Sequence, residues 1–343
     1  MLQIINKTPF ETGFNFFTDK NGEEKVSVAV KATFNIPEPD ETIKISEQQL
    51  PVFETTQYYG KPGQSSVKYP VDIVLEKINS DIGLTGSIHT PGNKPVQNVL
   101  VSLQVGRYKK DILIWGDRYW KKKLFFPGFY MTEPEFFTEM PLIYERAFGG
   151  FDIKQKNKKA ITTIFESNPI GTGFRNHKQS VNNHKLPNLE HPDHLIKSWK
   201  DKPDPAGFGF IDPAWGSLKK YAGTYDENWQ KSQSPLLPKD FDNRFFNTAS
   251  AGLVVNGFLK GDEPIVLCNL CKNKIVQFNL PAIKINSTFK HKSILSYEAL
   301  NIWTILFEPD ENRFMIVYGI SFKVGKELSR VEYCKLEMSD SSS

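Results

Sequence analysis

Cysteine is scarce in this chain. Cys268, Cys271 and Cys334 are the only thiols among 343 residues, and an odd number in so long a sequence fits reduced thiols rather than a disulfide framework. CNLC, Cys268 to Cys271, has the spacing of half a zinc site but lacks a second half, so both thiols read as strand and turn residues with Cys334 alone. Histidine is nearly as rare, with six in all. His191 and His194 flank Pro192 and Asp193 with no cysteine or third histidine beside them, and no metal site is expected. Long apolar runs are missing: nothing approaches the ~18 consecutive residues of a membrane-spanning helix. The opening MLQIINKTPFETG also lacks the basic-then-apolar pattern of a signal peptide, so a cytoplasmic protein is expected. Charge of one sign is weak, a net +4 spread along the chain, which points to neither nucleic acid nor a membrane as partner. Lysines cluster at Lys121 to Lys123 and at Lys154 to Lys159, where KQKNKK reads as a solvated loop. No cofactor is expected, because GTGFRN (Gly171 to Asn176) lacks the third glycine and the strand-to-helix setting of a dinucleotide fingerprint.

What is present is strand pattern. A hairpin is predicted from Glu11 to Thr18, through DKNG (Asp19 to Gly22), into VSVAVKATFNI (Val26 to Ile36). In that second strand Val26, Val28, Val30 and Ala32 share the face expected inside, opposite Ser27, Ala29, Lys31 and Thr33. A short strand is predicted at Ile43 to Ile45. Further strands are predicted at Val71 to Ile78, Asp81 to Pro91, Val96 to Gly106 and Asp111 to Gly116, then at Ala251 to Leu259, Pro264 to Leu270 and Lys274 to Pro281. A final hairpin turns at PDEN, between Ile302 to Glu308 and Arg313 to Lys323. Helix is expected only as a turn or two at Leu328 to Met338 and His191 to Lys200.

Between the strands lies a stretch from about Met140 to Asn247 built from turn residues: PLIYERAFGG, NPIGTGF, LPNLE, DPAGFGF, AGTYDENW and LPKDFDNRFFN. Proline fixes φ, glycine permits positive φ, and Asn or Asp bond nearby backbone, so these runs specify turns. Phe148, Phe174, Trp215, Trp229, Phe241 and Phe246 sit among them, which predicts an ordered, packed cap. The aromatic run from Trp115 to Phe151 reads as core and inter-sheet packing ahead of a sugar platform, since its rings are not confined to alternate positions. The fold class is therefore mainly β, β-rich α+β at most, with antiparallel sheets in a sandwich-like arrangement under a turn-rich central cap. One large domain is expected over 1–343: an N-terminal β half (1–126), the cap (127–250), a C-terminal β half (251–335) and a flexible tail (336–343).

In this order, YERAFGG, NPIGTGF, LPNLE, PAGFGF, GTYDENW and LPKDFDNRFFN, together with KATF, GSIHTPG (Gly86 to Gly92) and GDRYW (Gly116 to Trp120), closely resemble the family called domain of unknown function 2169. The resemblance implies an adaptor or chaperone of bacterial type VI secretion, whose partners would be a toxic effector and a spike or PAAR-repeat tip protein. It brings no catalytic residues. The family pattern carries an arginine between the central tryptophan and GTYD; here Lys219 and Lys220 stand there, and lysine lacks the planar fork for a bidentate carboxylate contact.

Exposed aromatics and arginines dominate interface hot spots, so Tyr225, Trp229 and Arg244 are the candidate partner-binding residues. Arg146 is expected as a buried or half-buried anchor bonded to carbonyls or to Asp226 or Asp242. Asp226, Asp240 and Asp242 could supply the carboxyl pair of a glycosidase. They read more simply as structural, Asp226 bonding turn amides and Asp240 or Asp242 pairing with Arg244. A carbohydrate-binding module and a glycan-acting hydrolase are the alternatives to the adaptor.

Overall fold

The structure, a computed structural model, describes residues 2–39, 41–156 and 159–339. It is mainly β, with several antiparallel sheets and no closed barrel among the described residues. The central sheet has five strands in the order Glu11–Thr18, Glu24–Asn35, Arg313–Gly325, Asn301–Glu308 and Asp81–Leu84, the last running parallel to its neighbour. A second five-stranded sheet orders Leu189–Glu190, Tyr108–Trp115, Asn98–Val105, Pro264–Cys268 and Ile275–Asn279. A third, of four strands, orders Gln3–Asn6, Val331–Met338, Ile285–His291 and Ile294–Ala299. Each sheet joins segments from before and after the middle of the chain. One apolar core runs through all three, from Val26, Val28, Val30 and Phe34 to Leu103, Ile112 and Leu267, and on to Ile285, Phe289 and Leu336.

The strand Glu24–Asn35 departs from the expected two-faced pattern, being buried on both sides from Lys25 to Phe34. Its second face is covered by parts of the chain from Leu50 to Glu76, which overlaps the predicted strand Val71 to Ile78. Val71 to Ile78 itself joins no sheet. Instead the carbonyl of Leu75 accepts the Ser27 and Ser321 hydroxyls at 3.1 and 2.7 Å, so side chains from the sheet take the place of a ladder. Lys31, fully buried, donates to Asp72 Oδ2 at 2.9 Å and lies 3.7 Å from the centre of the Phe53 ring, while Phe53 N donates to the same oxygen at 2.7 Å. Burial pushes the Lys31 amine below its ordinary range and the Asp72 carboxyl above it, and their mutual attraction opposes both shifts.

Other departures have local causes. Of the helix expected from Leu328 to Met338 only a 3-10 turn at Leu328–Arg330 forms, and Val331–Met338 is a strand: pairing slips beside His291, leaving Glu332 unmatched, and this bulge puts Val331 and Cys334 three residues apart on the buried side. His191 to Lys200 forms turns, and the helices lie instead at Gly216–Lys219 and Glu227–Ser232. Ala251 to Leu259 makes only the isolated bridges Asp81 to Val254 and Leu259 to Ile302, and Ile45 only one to Phe34. Lys154 and Lys159 belong to a hairpin of Phe151–Lys156 and Lys159–Ile164 rather than to a loop; residues 157–158 lie outside the described residues. The tail expected from residue 336 is strand as far as Met338, and residues 340–343 are likewise outside. No helix is long and apolar enough to cross a membrane among the described residues.

Asp81 sits where these parts meet. Its Oδ2 accepts the Lys77 ammonium at 2.6 Å and Thr248 N at 2.9 Å, Oδ1 accepts Asn247 Nδ2 at 3.1 Å, and Lys77 also donates to Thr304 Oγ1 at 2.9 Å. Both charged side chains are buried. Replacing Asp81→Asn leaves Lys77 without a counter-charge and should lower stability by about 3–5 kcal/mol. Urea unfolding checks this, and an unmoved midpoint would refute Asp81 as the junction.

Candidate functional site

The turn motifs fasten the cap to itself and to both five-stranded sheets. Tyr144 of YERAFGG is buried, donates to the Gly209 carbonyl at 3.2 Å and meets Trp215 edge-on with centroids 5.4 Å apart. A β-carbon on Gly207 would lie 2.7 Å from the Tyr144 ring, and one on Gly83 would lie 2.4 Å from Phe210, so glycine lets two strands of chain approach these rings. Asn168 of NPIGTGF donates to the carbonyls of Tyr144 and Phe148 at 2.8 and 3.1 Å. Arg118 of GDRYW is buried, pairs with Glu190 of LPNLE, stacks 4.5 Å from the Trp115 ring and donates to Pro187 O at 3.0 Å. Glu190 also accepts Ile196 N at 2.9 Å. Of the predicted cap aromatics Phe148, Phe174, Trp215 and Phe241 are buried, while Trp229 and Phe246 are half-buried.

The residues singled out in the sequence fall into two groups. Arg146 is half-buried as expected, but its partners are Asn188 Oδ1 at 3.0 Å and Asp117 at 3.9 Å, not Asp226 or Asp242. The other group surrounds the GTYD turn. Asp226 caps the helix Glu227–Ser232 by accepting Trp229 N at 2.8 Å, and Asp240 accepts Thr224 N and Oγ1 at 3.0 and 2.8 Å. Asp242 accepts Arg244 Nε and Nη2 at 2.9 and 2.5 Å. These bonds hold the Asp240 and Asp242 carboxyls below the usual range, the amide and hydroxyl of Thr224 doing so for the first and Arg244 for the second. Tyr225 is exposed and packs edge-on against Trp229 at 4.7 Å, Trp229 Nε1 donates to Leu236 O at 2.9 Å, and the exposed Arg244 lies 4.6 Å from the Tyr221 ring.

Arg244, Tyr221, Lys220 and Tyr144 line a cleft of about 560 Å³. At Asp204, Pro205 and Ala251 it meets a larger cavity of about 890 Å³. Residues 21–319 match a family described as "Uncharacterized protein conserved in bacteria (DUF2169)". The chain belongs to this family. No curated protein and no solved structure matches it. In this member of the family the motifs serve first to fasten the cap, and the cleft is what their junction leaves open.

Sequence reasoning missed a more exposed feature. Trp120–Lys122 and Phe129–Met131 form a small hairpin. In its connection Leu124, Phe125 and Phe126 are 90, 89 and 74% exposed, beyond Lys121 to Lys123. These two rings, with Phe136 and Phe151, depart from the expected core packing, whereas Trp120, Tyr144 and Phe148 of the same run obey it. The available signal was the Pro127-Gly128 turn directly after the apolar triplet, which places the triplet at a bend rather than within a strand. The hairpin Phe151–Ile164 adds a second exposed apolar face: Phe151 lies opposite Ile164 and Ile153 opposite Thr162.

Beneath that hairpin Asp152 accepts Asn176 N, His177 N and Ser180 Oγ at 2.8, 2.9 and 2.9 Å, and pairs with Arg175, which also contacts the His184 ring. Burial, aided by Arg175, pushes His184 down to about 4. Cys271 and Cys334 are pushed up to about 12 by burial, which keeps them as unreactive thiols near neutral pH. No cluster of three or more His, Cys, Asp or Glu side chains suited to a metal occurs among the described residues.

Two measurements follow from this geometry. Arg118→Ala strands the buried Glu190 and should cost about 3–5 kcal/mol, whereas Arg146→Ala, at a half-exposed site, should cost about 1 kcal/mol; equal shifts in unfolding midpoint would contradict the assignment. Between pH ~6.5, where an unfolded histidine titrates, and about 4, the unfolded state binds a proton that folded His184 does not. Stability should therefore fall as pH drops through this window, and His184→Gln should flatten that part of the profile. An unchanged slope in the variant counts against it.

Proposed function

We propose that this protein is an adaptor of type VI secretion that binds a toxic effector and helps load it onto the spike or its PAAR-repeat tip. The secretion system and its partners come from the family resemblance. The observation that supports a binding role is the Leu124-Phe125-Phe126 tip, since three large apolar side chains in a row facing water gain most by docking into another protein. Arg244, exposed at the cleft, and the exposed Tyr225, packed against Trp229, are suited to further contacts. Catalysis is not part of this reading: Asp226, Asp240 and Asp242 are engaged in capping, turn and ion-pair bonds rather than left poised across a cleft.

Deleting the protein should lower the level and secretion of one cognate effector while the secretion apparatus still fires. Co-purification should recover that effector or the spike. Replacing Leu124, Phe125 and Phe126 by serine should weaken capture at least tenfold without lowering the melting temperature, because the tip contributes little to the core. Tyr225→Ala and Arg244→Ala should weaken it less. Normal secretion of every effector in the deletion strain, or tight glycan binding with neither effector nor spike retained, would overturn the adaptor in favour of a carbohydrate-binding module; turnover abolished by Asp226→Asn in folded protein would favour a hydrolase.

A further inference from the structure

Five cationic side chains are buried among the described residues: Lys25, Lys31, Lys77, Lys110 and Arg118. Four have a carboxylate partner, namely Glu76, Asp72, Asp81 and Glu190 respectively. Lys110 has none within 4.0 Å. It is 7% exposed, and its ammonium donates to Ser250 Oγ at 3.0 Å and to Ala251 O at 2.9 Å. An ammonium has three donors, so two neutral acceptors leave one donor and the whole charge without a close counterpart. Lys110 also lines the 890 Å³ cavity, between its own strand Tyr108–Trp115 and the loop from His191 to Pro205.

We propose that this cavity is a carboxylate-binding site in which the Lys110 ammonium supplies the counter-charge that the fold withholds. The cavity is far larger than an ion, so the carboxylate belongs to a bigger ligand, either a small organic acid or the end of a peptide. A singly charged group fits better than a phosphate dianion. One buried cation faces it, and the lining aspartates Asp111, Asp193, Asp201 and Asp204 repel a second negative charge, although Lys109, Lys197 and Lys202 of the same lining partly offset them. Burial lowers the Lys110 amine to about 8, with Asp204 opposing the shift, so the charged form predominates at neutral pH. The site stands independently of the adaptor role.

The test uses the full chain with lysines labelled at the ε-carbon and follows the Lys110 resonance by NMR. Acetate and N-acetyl-glycylglycine, which ends in a carboxylate, should each move that resonance saturably and raise the apparent pKa of Lys110 by about one unit, a tenfold preference for the charged amine. The amide of the same peptide should do neither. Tighter binding of the peptide than of acetate assigns the carboxylate to a peptide end, and equal binding assigns it to a small acid; both support the site. Lys110→Met should abolish binding measured by calorimetry, and Lys110→Arg should keep it. The proposal fails if no carboxylate gives a saturable shift in the unaltered protein, if the amide acts equally, if inorganic phosphate binds more tightly than acetate, or if folded Lys110→Met binds undiminished.

Discussion

The buried carboxylate of Asp81 is the constraint from which the architecture follows. It begins a strand that runs parallel to Asn301–Glu308, and its two oxygens are divided between Lys77 from the preceding segment and Asn247 and Thr248 at the end of the cap. A buried ion needs all of these partners at once, because an unmatched charge or donor in a dry interior costs several kcal/mol. Three parts of the chain distant in sequence are thereby fixed in one place. The cap closes over the sheet with Phe210 packed on Gly83, and Tyr144 packed on Gly207 ties the cap to itself.

Polar burial recurs on the same face of the sheet at Lys31, in the cross-strand row Asp81, Thr304, Val317, Lys31. Lys31 and Asp72 form a closed pair under Phe53, and Ser27 with Ser321 binds the Leu75 carbonyl, so a segment without ladder pairing still satisfies its backbone. This dependence on specific polar contacts explains why so many turn residues are spent on the cap: each turn delivers one side chain, such as Asn168, Glu190 or Asn247, to a backbone or ionic partner elsewhere. Against that background the tip at Leu124 to Phe126 stands apart, since nothing among the described residues covers it. That exposed tip is the observation on which the proposed adaptor role rests.

By itself the sequence determined the mainly β class, most of the strands and the presence of a packed cap, because period-two alternation and turn chemistry are local properties that survive without knowledge of neighbours. The hairpin around PDEN was legible for that reason, as was Asp226 bonding a nearby backbone amide, although the helix Glu227–Ser232 that this bond caps was not expected. The hairpin Ile285–His291 with Ile294–Ala299 escaped notice because Ile294, Leu295 and Tyr297 leave its second strand largely exposed and without a clear buried stripe. Only the tertiary structure decided which charges were buried. Lys31 and Lys110 occupy positions that alternation assigns equally well to solvent, and whether an ammonium meets Asp72 or only a hydroxyl and a carbonyl depends on segments 41 and 140 residues away. The partners of Arg146 were misjudged on the same ground, since Asn188 and Asp117 reach it through folding of the chain and not through spacing along it. Local pattern fixes what a segment becomes; long-range burial fixes what its polar groups must bind.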